Sequence, residues 1–261
     1  MIAIANAISI GLNRSGGGGG PVYDTDYQSV LTYATGLGYT LPSVGQRTKQ
    51  NQLMLDLKEG GIWNKLDTFA VFATDGNSNF ALIDWKRLTT YTAVNSPTFT
   101  TNTGFQGNGT SSYISTNFNP ATSGVNYTLN NASRFLWQKI KGLGTSPSDG
   151  VITANLNNIL SHGTSGNRIN TSNPLTLSTL VSVVGLTGLY RTNSSNVDCI
   201  TNLTVFPNTA LSTSINSNNQ LIMRSGNSYS IVQASFYGMG ASLTSENTDL
   251  YNALNNYLIS L

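Results

Sequence analysis

The chain has 261 residues, 13 Lys and Arg against 11 Asp and Glu, one histidine, one cysteine, and only 9% charged residues. That length holds one large β domain with smaller pieces around a sizeable core, while a formal net charge of +2 is too small to steer the chain onto nucleic acid or an acidic membrane. One cysteine, Cys199, excludes an intramolecular disulfide framework, and no apolar run reaches the roughly eighteen residues that membrane insertion requires.

At the start of the chain Ile2, Ile4, Ile8 and Ile10 all fall at even-numbered positions, and Leu12 extends the apolar run. Even spacing places the isoleucines on one face of an extended segment. A strand at a terminus cannot bury such a face alone. The segment lacks the basic start of a signal peptide, and Asn6 and Ser9 interrupt it, so it is not read as one. Gly16 to Gly20 follow, closed by Pro21, a tether of roughly 5–6 Å × √n. Residues 1–15 are therefore expected to be a docking peptide with anchoring residues Ile2, Ile4, Ile8, Ile10 and Leu12, and 16–21 a linker. An edge strand of the same domain and a disordered terminus are the competing readings.

Residues 22–68 are expected to be helical. Asp24-Thr25-Asp26 suits a helix start, Tyr27, Val30, Leu31 and Ala34 fall at helical spacing, and Gly36 and Gly38 end the run. A second helix is predicted over Thr48–Glu59, with Leu53 and Leu57 in its apolar stripe and Gly60-Gly61 as its stop. Trp63 and Leu66 are expected to pack on the core in a further turn.

From Phe69 the pattern becomes β, and 69–241 is expected to be a sandwich. Phe69–Ala73 is a short strand, and residues 75–81 a turn and loop. Gly104–Thr116 reads as strand, glycine turn and strand, with Phe105 and Tyr113 directed inward and positive φ at Gly107 and Gly109. Further strands are predicted at 133–141, 151–154, 158–162, 179–184, 188–192, 203–206, 220–224 and 231–237, separated by Asn, Ser, Gly and Pro. Residues 242–261 form a last helix, capped by Ser242 or Thr244, with Leu250, Leu254, Tyr257 and Leu258 on its buried side.

Catalytic inventory is thin. His162 has only Ser161 beside it, and adjacent strand residues face opposite ways. A glycosidase needs two facing carboxylates, and both glutamates, Glu59 and Glu246, have structural explanations at helix positions. Calcium would draw on Asp149 and Asp198, with no dense acidic loop to complete a site. Cys199 is expected to be a buried structural thiol. The chain is accordingly expected not to be an enzyme and to hold no resident cofactor or metal.

The order of parts resembles a family of bacteriophage virion proteins carrying a concanavalin/laminin-G-like domain. The likeness is carried by the apolar leader and glycine run, by Asp24–Tyr27, by Leu53–Leu66, by the Phe105–Tyr113 stretch, and by Phe236–Glu246 leading into the final helix. The resemblance implies a mainly β fold, a concanavalin/laminin-G-like jelly-roll sandwich with a small N-terminal helical segment and a C-terminal helix. It implies a structural or appendage role in the virion, anchored to another virion protein through the N-terminal peptide, as a homo-oligomer for which a trimer is the expected number. The alternative is a glycan-binding module for host surface sugars, with Trp85, Trp137 and Tyr190 stacking on sugar rings. Core packing is the competing use of the same three rings.

Overall fold

A computed structural model describes residues 21–143, 146–151, 158–161, 166–175 and 184–261. The residues expected to anchor the chain, Ile2, Ile4, Ile8, Ile10 and Leu12, the glycine run, His162 and the strands expected near 152–154 and 179–183 lie outside the described residues.

Helix α1 (Thr25–Gly36) starts where expected: the Asp24 carboxylate accepts from the Asp26 amide at 3.0 Å, satisfying one of the orphan donors of the first turn. Helix α2 (Val44–Glu59) begins ahead of the predicted Thr48, capped by Ser43. Its first turns lack apolar periodicity because their buried positions are glutamines. Gln46 donates to the Tyr257 hydroxyl at 2.6 Å, and Gln50 accepts from the Tyr27 hydroxyl at 2.7 Å. A short 3-10 turn, Trp63–Lys65, leads into the strands.

In chain order these are β1 (Leu66–Val71), β2 (Ile83–Asp84), β3 (Thr89–Thr90), β4 (Thr92–Val94), β5 (Thr98–Thr100), β6 (Gly104–Gln106), β7 (Tyr113–Ser115), β8 (Ala132–Ile140) and β9 (Pro147–Gly150). There follow β10 (Asn158–Ser161), β11 (Arg168–Ile169), β12 (Gly185–Arg191), β13 (Asn196–Thr201), β14 (Thr204–Thr209), β15 (Leu221–Ile222), β16 (Arg224–Ser225), β17 (Ser228–Tyr229) and β18 (Gln233–Gly240). Two single-turn helices interrupt them, α3 (Ser78–Ala81), where a loop is expected from sequence, and α4 (Pro120–Ser123); α5 (Asn247–Ile259) comes last.

Among the described residues the strands form two larger sheets and two small ones. The main sheet runs β14-β13-β12-β8-β18-β6-β5, and β1 shares with β6 the second edge of β18. The second sheet runs β11-β10-β9-β15-β7-β4. All pairings are antiparallel.

Alternation along the main sheet divides its side chains between two cores. Phe69, Phe135, Leu186, Ile200 and Phe236 join α1, α2 and α5 in one cluster. Ala70, Leu136, Leu189, Cys199 and Tyr237 join Ile114, Ile169 and Ile222 of the second sheet in the other. The layers are thus helices, main sheet, second sheet. The chain is mainly β, with helices near both ends of the described residues, and no described helix is long and apolar enough to cross a membrane.

Three local expectations change. Gly104–Thr116 is not a hairpin: β6 pairs with β5 and β18 in the main sheet, while β7 pairs with β4 and β15 in the second. The glycine loop carries the chain from one sheet to the other. Within it Gly109 has φ +75°, whereas a Cβ on Gly107 would lie 2.1 Å from the Ser230 carbonyl oxygen, so close backbone approach selects that glycine. At the last helix the cap position is Glu246, with no side-chain capping bond, because the Thr244 hydroxyl donates instead to Asp198 at 2.7 Å.

Candidate functional site

The three rings expected to meet sugar are in the helix–sheet core. Trp85 is 2% exposed, Trp137 6% and Tyr190 0%. Trp85 packs on Tyr27 and Phe69, Trp137 on Tyr251. Their apolar area is spent against helices, so none presents a ring face to solvent.

An aromatic platform does exist, on the outer face of the second sheet and the β16–β17 hairpin beside it. Ile114 points into the core between the sheets, so its neighbour Tyr113 points to the outer face of the second sheet, where its ring is half-buried. Beside it the Gly226-Asn227 turn joins β16 to β17, setting Arg224 directly opposite Tyr229. Gly226 has φ +55°, the left-handed backbone that a two-residue hairpin turn asks of glycine. The Arg224 guanidinium lies 4.6 Å from the Tyr113 ring centroid and 5.0 Å from that of Tyr229. The two rings are 6.3 Å apart at 50°, which makes a cation–π clamp open at one edge.

Local backbone explains the aim of these side chains. Met223 is fully buried with φ +69°, a strained conformation for a residue with a Cβ, costing about 1–3 kcal/mol. The kink lets Ile222 and Met223 both enter the core and turns Arg224 outward. On the other side the 107–112 loop is braced by one side chain. The Asn108 Oδ1 accepts from the amides of Thr110, Ser111 and Ser112 at 2.8–2.9 Å, and Asn95 Nδ2 donates to the Ser111 carbonyl at 3.0 Å. Tyr113 is presented from a fixed loop. Exposed Asn95, Asn108, Asn227 and Ser228 lie in the turns beside the clamp, a set of amides and a hydroxyl suited to hydrogen-bonding a polar ligand. The only advance signal was the Gly226-Asn227 dipeptide, a hairpin marker.

The remaining candidates are structural. Asp149 is buried and paired with Arg134, Nε to Oδ2 at 3.0 Å. Asp198 sits in the main sheet and accepts from Thr244. The two carboxylates proposed for calcium therefore do not converge, and among the described residues no group of three or more acidic, His or Cys side chains is arranged to hold a metal. Glu246 pairs with Lys65 at 2.7 Å. Glu59 lines a groove of about 310 Å³ between α2 and α5 with Asp56 and Asp249. Cys199 is buried, and burial followed by nearby Asp198 pushes its thiol up to about 12.

No protein-family model matches the chain, and no curated protein matches it. A mutant of Trypanosoma rangeli sialidase displaying trans-sialidase activity is similar at 13% identity over 80% of this chain and 39% of its own, with a TM-score of 0.49. Domain 4 of an extracellular arabinanase from Geobacillus stearothermophilus, in complex with arabinotriose, is similar at 14% identity over 72% of this chain and 98% of that domain, with a TM-score of 0.42. The chain spans 39% of the length of the sialidases. Catalytic proteins stand among these matches, and the expectation that this chain is not an enzyme is withdrawn on that ground. The comparisons lend no support to a bacteriophage origin, which rests on the sequence resemblance alone.

Proposed function

We propose that the outer face of the second sheet binds carbohydrate, with Tyr113, Arg224 and Tyr229 as the contact surface. The observation that carries this reading is the clamp itself: two half-exposed tyrosine rings held against one guanidinium, on a sheet face away from both cores. Tyrosine offers a rigid apolar face and a wet hydroxyl, and sugars present apolar C–H faces with hydroxyls at their rims. Two packed antiparallel sheets support the finer fold reading, a concanavalin/laminin-G-like sandwich. A virion appendage displaying this face, anchored through Ile2–Leu12 to a neighbouring polypeptide as a homo-oligomer, is the setting that the sequence resemblance suggests.

A glycan array probed with the full chain, followed by titration of each retained sugar, tests the reading. Tyr229→Ala and Tyr113→Ala are expected to weaken binding about tenfold or more, while Tyr190→Phe, altered only in the buried core, leaves it unchanged. Retained sugars are also incubated with the chain and checked for cleavage, which separates a lectin from a hydrolase. An array on which no sugar is retained overturns the proposal.

A further inference from the structure

We infer that the saccharide taken by this face is acidic, its carboxylate pairing with the open edge of Arg224. This deepens the preceding reading and rests on it. Arg224 is an isolated charge: between Asp198 and Glu246 the sequence contains no other Asp, Glu, Lys or Arg, and between Arg87 and Arg134, the stretch that supplies β4 and β7, it contains none. Across the strands of the second sheet and the β16–β17 hairpin the charged residues are Asp149, Arg168 and Arg224. Asp149 points inward to Arg134. Arg168 neighbours the inward Ile169 and so faces out. The outward charges are therefore both positive.

The clamp also dictates how an anion is met. Tyr113 and Tyr229 cover the guanidinium, and its Nε donates to the Gly226 carbonyl at 2.9 Å. That leaves the terminal Nη edge, and among the described residues no carboxylate is paired with it. A planar fork of N–H donors fits the two oxygens of a carboxylate, and the two rings beside the guanidinium leave it only partly exposed, which strengthens the pairing. Burial holds the Arg168 guanidinium below its ordinary value with no acid offsetting it, in keeping with a face that lacks internal counter-charge.

The experiment compares matched probes on the full chain: trigalacturonate and sialyllactose, the methyl ester of each, lactose, and sulfated lactose. Titrations run at about 50 and 500 mM salt, since an exposed ion pair is screened over this range. The acids are expected to bind about tenfold or more tightly than their esters, to lose that margin in Arg224→Gln, to keep part of it in Arg224→Lys, and to weaken at high salt. Thermal melts of both variants check folding; if Arg224→Gln unfolds, the ester comparison on the unmodified chain still decides. Equal binding of acid and ester overturns this inference and leaves the carbohydrate reading standing. Preference for sulfated lactose over both acids also overturns it. Failure of every sugar, neutral or acidic, overturns both.

Discussion

Arg134 and Asp149 are wholly buried between the two sheets, joined Nε to Oδ2 at 3.0 Å. Removing one partner leaves a charge in an apolar layer. Asp149→Ala is expected to lower stability by about 3–5 kcal/mol, and the double Arg134→Leu, Asp149→Leu variant to regain much of that loss. Urea unfolding measures both, and a single-variant loss under about 1 kcal/mol would show that the pair is not held as described. The same scale shows why the ligand face was illegible in sequence. Trp85 is open from sequence to either sugar stacking or core packing, and in the fold it turns inward while its neighbour Lys86 covers Trp63 at 4.4 Å. Tyr113 reads as a core residue because it is a large apolar group on a strand, but its neighbour Ile114 is apolar too, and strand geometry fixes only that the two face opposite ways. Which of the two faces water depends on a second sheet whose partner strand, β15, lies far along the chain.

At the scale of elements, the helices were the legible part. Their apolar spacing depends on neighbours three and four residues away, and α1, the end of α2 and the buried side of α5 match it. Several strand positions were legible too, but β9 and β13 fall outside the predicted ranges, and strand partners were not legible, as the divided β6 and β7 show. The start of α1 carries a pH-dependent contribution. Burial pulls the Asp24 carboxyl upward, but bonds from Lys58 and the Asp26 amide outweigh it and hold the group below its ordinary 3.8. A folded-state value below the unfolded one gives stability that is present above about pH 4 and is lost as pH falls through the lowered value. Asn caps a helix as well as Asp does, so Asp24→Asn removes the charge and keeps the cap. The variant is expected to be less stable by about 1 kcal/mol or less at neutral pH, and its melting temperature should fall less steeply between about pH 5 and pH 2. Parallel profiles for the two proteins would count against the ion pair.

For the whole molecule, the helical layer belongs to the same cooperative unit as the main sheet. The Tyr257 hydroxyl of α5 donates to the Ala73 carbonyl at 2.6 Å and accepts from Gln46 and Gln50 of α2, while the Tyr257 ring packs on Phe236. A chain ending before Asn247 is expected to lose its sharp thermal transition, whereas the full chain should melt in one step by far-ultraviolet circular dichroism and tryptophan fluorescence alike. Two separated steps in the full chain would show that the layers unfold independently.

Strand β18, next to last among the elements, joins β1, β6 and β8. During synthesis those three strands leave the ribosome without their common neighbour, and contacts such as Leu66 with Gly240 cannot form until residue 240 is out. The nascent chain must wait with open strand edges, so refolding is expected to be slow, as long loop closures require, and a growing polypeptide stalled before Gln233 should be the species that chaperones hold.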